Sequence, residues 1–125
     1  MLTEPQKKYL ITIYLLGQNG SSVRTTDIAG YLHVAKASVV KMEKKLIEEG
    51  LIMKEPYGKI TLTVKGISEA NELFTPSVVI KDHLINKVGI DPEKAGEASM
   101  EISSVLDAQT LDKLTDYLLS QSSGE

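Results

Sequence analysis

The stretch Thr25-Thr26-Asp27-Ile28-Ala29-Gly30-Tyr31-Leu32-His33-Val34-Ala35-Lys36-Ala37-Ser38-Val39-Val40-Lys41 decides the fold. Thr25-Thr26-Asp27 opens a short helix to about Leu32, with Ile28, Ala29 and Leu32 at helical spacing. His33-Val34 leaves room only for a tight connection. A longer helix then runs from about Lys36 to Glu49, with Val39, Met42, Leu46 and Ile47 inward. Gly50 stops it because glycine tolerates a left-handed backbone. Two helices joined by so short a turn form a helix-turn-helix.

Upstream, Thr3-Glu4-Pro5-Gln6 combines a capping threonine, a proline in the first turn and a glutamine that completes a capping box. That helix carries Leu10, Ile13, Tyr14 and Leu16 on one face and ends at Gly17-Gln18-Asn19-Gly20. Downstream, 51–55 and 59–63 read as strands around the turn Pro56-Tyr57-Gly58. Helix, short helix, turn, longer helix and hairpin follow the order of a winged helix-turn-helix. Thr63 caps a fourth helix to about Phe74, and Thr75-Pro76-Ser77 breaks it. A fifth helix spans about Val78 to Val88 and stops at Gly89. Asp91-Pro92-Glu93 opens a sixth, with Ala95, Ala98, Met100, Ile102 and Val105. Asp107 caps a seventh, with Leu111, Leu114, Tyr117 and Leu118 at helical spacing. The tail from Ser120 to Glu125 is expected to fray. The fold class is therefore mainly α: a winged helix-turn-helix over 1–66, then a helical domain over 67–125 on which the first helix can also pack.

Composition narrows the function. The 125 residues include no cysteine, which excludes a disulfide framework, a thiolate metal site and a cysteine nucleophile. No apolar run approaches the ~20 residues needed to cross a bilayer. Met1-Leu2-Thr3-Glu4-Pro5 lacks the basic and apolar regions of a signal peptide. These features together point to the cytoplasm. With two histidines, no glycine-rich phosphate loop and no Ser/His/Asp order, nothing points to an enzyme.

The net charge of −3 hides an asymmetry. Residues 1–66 carry ten Lys/Arg against six Asp/Glu, a balance of +4; residues 67–125 carry four against eleven, a balance of −7. A basic half joined to an acidic half suggests one surface facing a polyanion. The major groove of duplex DNA admits one helix, which presents its first turns to base edges. The small side chains Ala37 and Ser38 let a backbone come close to bases. Val40 or Ala37 can pack on a thymine methyl, and Lys36, Lys41 and Lys45 can reach base edges or phosphates. Arg24, Thr25 and Thr26 stand at a helix start, where free N–H groups can hold a phosphate. Tyr57 and Lys59 sit at the hairpin tip, within reach of the DNA backbone or the minor groove. Lys44 reads equally well as part of a solvated face.

Residues 5–120 resemble the diphtheria-toxin-repressor family of metal-dependent regulators, above all its shorter manganese-responsive branch. The resemblance rests on Tyr9-Leu10, Thr12-Ile13-Tyr14-Leu15-Leu16, Val23-Arg24-Thr25-Thr26-Asp27-Ile28-Ala29, Ser38-Val39 and Lys41-Met42. It continues through Leu46, Glu49-Gly50-Leu51-Ile52, Tyr57-Gly58-Lys59-Ile60-Thr61-Leu62-Thr63, Lys65-Gly66, Leu84-Ile85-Asn86-Lys87-Val88-Gly89-Ile90-Asp91 and Glu93-Lys94-Ala95. It implies a homodimer on a double-stranded palindromic operator, held by the second domain, where Leu84, Ile85, Val88 and Leu114 are the residues expected to dimerise.

The resemblance also implies a transition metal, yet its ligand positions fall on Lys8, Ile11, Ser77 or Val78, Met100, Ser103 and Ser104. None is a carboxylate or imidazole, which Mn²⁺ and Fe²⁺ require. No metal ligand and no cofactor are therefore expected, and Lys8 is expected to replace the cation. Two alternatives stand: a site rebuilt from Asp82, His83, Glu97 and Glu101, and a winged-helix interaction module that has lost DNA binding.

Overall fold

The computed structural model describes residues 2–123. Helix α1 spans Glu4–Gly17. Thr3 Oγ1 accepts from the Gln6 N–H at 3.3 Å, and Gln6 Oε1 accepts from the Thr3 N–H at 2.9 Å, the capping box read from the sequence. The Gln6 amide also donates to Glu49 Oε2 at 2.7 Å, so the start of α1 is tied to the residue that follows the next-but-one helix.

Helix α2 covers Thr25–Leu32 and α3 covers Lys36–Glu48. Asp27 Oδ2 accepts from the Arg24 N–H at 2.9 Å and fixes the start of α2. Between the helices His33 adopts a left-handed backbone, φ 57 and ψ 47. The N–H groups of His33 and Val34 both turn back onto the Ala29 carbonyl, which ends α2 within one residue.

A single apolar core holds this region. Leu10, Ile13, Val23, Ile28, Val39, Leu46, Leu51, Ile52 and Ile60 are buried in it, and Met42 and Leu62 pack on it partly exposed. Burying such a side chain contributes roughly 1.5–3 kcal/mol. Ile47, expected inward, is instead 42% exposed. The inward stripe of α3 is Val39, Glu43 and Leu46, and Ile47 lies a further step of about 100° round the helix, outside it.

Strands β1, Ile52–Lys54, and β2, Ile60–Leu62, pair antiparallel with Met53 opposite Thr61. Both are shorter than the expected 51–55 and 59–63, although one hydrogen bond at each end, Glu55 N–H to Lys59 O and Thr63 N–H to Leu51 O, continues the ladder. Gly58 turns the hairpin at φ +96, a left-handed value that favours glycine. Val23 joins the sheet by an isolated bridge to Ile60.

Helix α4 spans Val64–His83. Thr63 Oγ1 caps it on the Gly66 N–H at 3.0 Å, as expected. Gly66 lies so close to the root of β1 that a Cβ would stand 2.0 Å from the Leu51 carbonyl oxygen. The expected break at Thr75-Pro76-Ser77 does not occur: α4 passes through Pro76, and a π-helical turn, Leu84–Val88, follows it. A proline removes one backbone hydrogen bond, and the turns on either side keep theirs. Pro76 and Ser77 are buried, and the Ser77 hydroxyl donates to the Phe74 carbonyl at 2.6 Å.

The chain divides into two compact units inside α4, one ending at Asn71 and the second beginning at Glu72. In the second, α5 spans Pro92–Val105 and α6 spans Ala108–Ser123. Asp91 caps α5 on the N–H groups of Glu93 and Lys94. Asp107 caps α6 on the Thr110 N–H at 2.8 Å, again as the sequence implies. Helix α6 continues past Ser120, where fraying was expected; the Ser120 hydroxyl donates back to the Tyr117 carbonyl. Gly124 and Glu125 lie outside the described residues.

Candidate nucleic-acid interface

Helix α3 has two unlike faces. Val39 and Leu46 are fully buried and Glu43 is 2% exposed, whereas Lys36, Ala37, Ser38, Val40, Lys41, Lys44 and Lys45 are all exposed. The first turn carries no acidic residue and no side-chain cap. The outward face therefore offers small side chains, one hydroxyl and a series of ammonium groups to a polyanion.

Around this face, Thr26 is exposed at the start of α2, Tyr57 is 69% exposed at the hairpin tip, and Lys59 is half-buried. A hydrogen bond with Glu55, and the charge of that carboxylate, hold the Tyr57 phenol above its ordinary pKa. Arg24 is exposed and Thr25 half-buried, and each makes a contact within the protein. The Arg24 guanidinium donates to the Tyr57 carbonyl, and the Thr25 hydroxyl donates to Glu43 Oε2 at 2.7 Å. Lys54 Nζ, on β1, completes this cluster, 2.8 Å from Glu43 Oε1 and 3.2 Å from Thr25 Oγ1. Glu43 and Lys54 were not among the residues read from the sequence. The signal was present for Glu43, since it lies four residues after Val39 and three before Leu46, on the inward stripe.

In the second unit Leu84, Ile85 and Leu114 are half-buried, and Val88 is 65% exposed. Val78, Val105, Tyr117 and Leu119 add further exposed apolar surface there.

The residues at the family's metal positions do not fit a transition metal. Ser77, Ser103 and Ser104 are buried hydroxyls, and two of them already donate to backbone carbonyls, Ser77 to Phe74 and Ser104 to Met100. Ser103 Oγ is buried with no partner among the described residues, but a neutral hydroxyl is a poor donor for Mn²⁺ or Fe²⁺. Met100 offers a soft thioether, Val78 and Ile11 are hydrocarbon, and Lys8 is an ammonium 3.9 Å from Glu4. Of the residues considered for a rebuilt site, His83 is buried with Nδ1 3.1 Å from the Val79 carbonyl, Asp82 accepts from Asn86, and Glu97 and Glu101 are exposed. Among the described residues no three His, Asp or Glu side chains gather as a metal site. None of the described helices is long and apolar enough to cross a membrane.

A basic outward helix, set on a buried core beside a two-stranded hairpin, defines a winged helix-turn-helix whose exposed face suits a polyanion. Comparison with known proteins places it further. The family model described as iron dependent repressor, N-terminal DNA binding domain, matches residues 1–60. An uncharacterised HTH-type transcriptional regulator of Methanocaldococcus jannaschii is 32% identical over 118 residues, covering 94% of each chain. The HTH-type transcriptional regulator MntR of Lysinibacillus sphaericus is 31% identical, over 94% of this chain and 84% of that one. A solved structure of the manganese regulator SloR superposes with a TM-score of 0.70 at 26% identity, over 90% of this chain and 54% of that one. The chain belongs to the diphtheria-toxin-repressor family of transcriptional regulators, a family of regulators rather than enzymes.

Proposed function

We propose that the chain acts as a homodimeric, sequence-specific regulator of transcription, a repressor, whose hold on its operator does not use the family's transition-metal site. The observation that carries the DNA reading is the sidedness of α3: every residue expected to meet DNA from it is exposed, while Val39, Glu43 and Leu46 fill its inner face. Lys36 and Lys41 act at base edges, Lys45 and Lys59 at phosphates, and Tyr57 at the backbone beside the hairpin. Independence from metal is supported by the donor set, which is hydroxyl, thioether and ammonium where a hard cation needs carboxylates and imidazoles. A homodimer is supported by the exposed apolar surface of the second unit, Val88, Val105 and Tyr117 included.

Fluorescence anisotropy with duplex DNA at rising salt tests the reading. Binding should weaken steeply with salt, with a slope of about −0.9 per phosphate touched, and should be the same with Mn²⁺ as with a chelator. A second reading, a metal-responsive regulator, is favoured by the names of its relatives MntR and SloR. Under it, the chelator would abolish binding and Mn²⁺ would restore it.

A further inference from the structure

Glu43 is an ionisable side chain buried to 2% exposure in a helix whose other inward residues are aliphatic. A buried carboxylate needs a charged partner and full hydrogen bonding. It has both. Lys54 Nζ lies 2.8 Å from one oxygen and the Thr25 hydroxyl 2.7 Å from the other, and Lys54 also donates to Thr25 Oγ1 at 3.2 Å. The three groups close a triangle that joins the middle of α3, the first residue of α2 and the last residue of β1.

Two further ties run from the same place to the hairpin. The Ile60 N–H donates to the Val23 carbonyl at 2.8 Å, and the Arg24 guanidinium donates to the Tyr57 carbonyl at the tip. The consecutive residues Val23, Arg24 and Thr25 thus each grip the hairpin or its partner. A two-stranded hairpin of three-residue strands has little stability of its own, so its orientation depends on such ties.

We infer that Glu43 is a positioning residue for DNA binding: from the buried side of α3 it sets, through Lys54 and Thr25, the angle at which the hairpin meets the duplex. This rests on the reading that α3 and the hairpin both engage DNA. Glu43 touches no nucleic acid itself. It acts by keeping the Tyr57 and Lys59 side chains in register with Lys36 and Lys41, so that one docking motion seats all four on the duplex.

The sign of the effect separates this role from simple electrostatics. Removing a negative charge near a polyanion raises affinity, whereas removing a positioning group lowers it. The test compares the full chain with Glu43→Gln, which keeps the side-chain shape, and with Glu43→Leu, which fills the space with hydrocarbon should the amide variant fail to fold. Three measurements are made: thermal melting, ¹⁵N relaxation of the hairpin amides in the free protein, and anisotropy with a random-sequence duplex across salt concentrations. At a temperature where the variant is fully folded, the amides of Tyr57, Gly58 and Lys59 should gain fast motion. Binding should weaken roughly tenfold, and the salt slope should flatten by about 0.9 for each phosphate that the hairpin no longer reaches. Unchanged or tighter binding by a folded variant with an unchanged hairpin overturns the inference and leaves the DNA reading intact. Failure of the unaltered chain to bind the duplex at low salt overturns both.

Discussion

Val39 and Val40 are neighbours on α3 with opposite fates: Val39 is fully buried, and Val40 is 36% exposed beside Lys36 and Lys41. One residue step turns a helix by about 100°, enough to carry a side chain from the core to the surface. Val39→Ala should lower stability by roughly 1–3 kcal/mol, since it removes two buried methyl groups and leaves a gap. Val40→Ala should change stability by less than about 0.5 kcal/mol. Paired thermal melts and DNA titrations check this; if Val40→Ala also melts early, the outer face is misassigned.

Lys36→Ala and Lys41→Ala should each weaken operator binding. Where the ammonium reads a base edge, the loss should be about 1–3 kcal/mol with relaxed discrimination between sequences. Lys45→Ala should instead weaken all sequences alike and flatten the salt slope by about 1. Titration of a cognate and a scrambled duplex with each variant distinguishes the two roles.

His33 holds a left-handed backbone between α2 and α3, at φ 57. A non-glycine residue is strained there by roughly 1 kcal/mol, while glycine is not. His33→Gly should therefore raise the melting temperature or leave it unchanged, the unfolded glycine's extra freedom offsetting part of the gain. A clear fall in melting temperature would show that the imidazole makes an interaction worth more than the strain.

The Asp107 carboxylate is held below its ordinary pKa by hydrogen bonds from the Thr110 backbone and hydroxyl. A group whose pKa is depressed by folding contributes stability above its unfolded value, and that contribution is lost as pH falls through the folded value. Asp107→Ala should thus lower the melting temperature at neutral pH, and the gap from the parent chain should close once pH drops below the ordinary aspartate range. A gap independent of pH would assign the effect to something other than the charged cap.

Val88 lies on exposed surface and Leu114 is half-buried, both in the second unit. Val88→Asp should shift the sedimentation equilibrium toward monomer with little loss of helicity. Leu114→Asp should also cost stability, because it places an unpaired charge in a partly desolvated position. A Val88→Asp protein that sediments as the parent does would remove that residue from the dimer interface.

Much of the fold was legible because its helix starts use local chemistry. Thr3 with Gln6, Thr63 with Gly66, Asp91 with Glu93 and Lys94, and Asp107 with Thr110 all form bonds within three residues, which a reading of neighbours captures. Pro76 misled for the opposite reason. Its effect depends on how well the surrounding turns keep their bonds, and the hydroxyl of Ser77 and the burial of this segment are properties of the folded state. The outer face of α3 was readable as the complement of its apolar stripe. The cluster beneath it was not: the spacing marks Glu43 as inward, but its partners Lys54 and Thr25 lie 11 and 18 residues away, beyond any reading of neighbours.

Gly66 has a genetic corollary. The space above its Cα is already occupied by the Leu51 carbonyl, so even the smallest substitution must push α4 away from the foot of the hairpin. Alleles at this codon should surface in a screen for loss of regulation as heat-sensitive ones, active in cool cultures and silent in warm ones. They would retain every side chain proposed above to meet DNA.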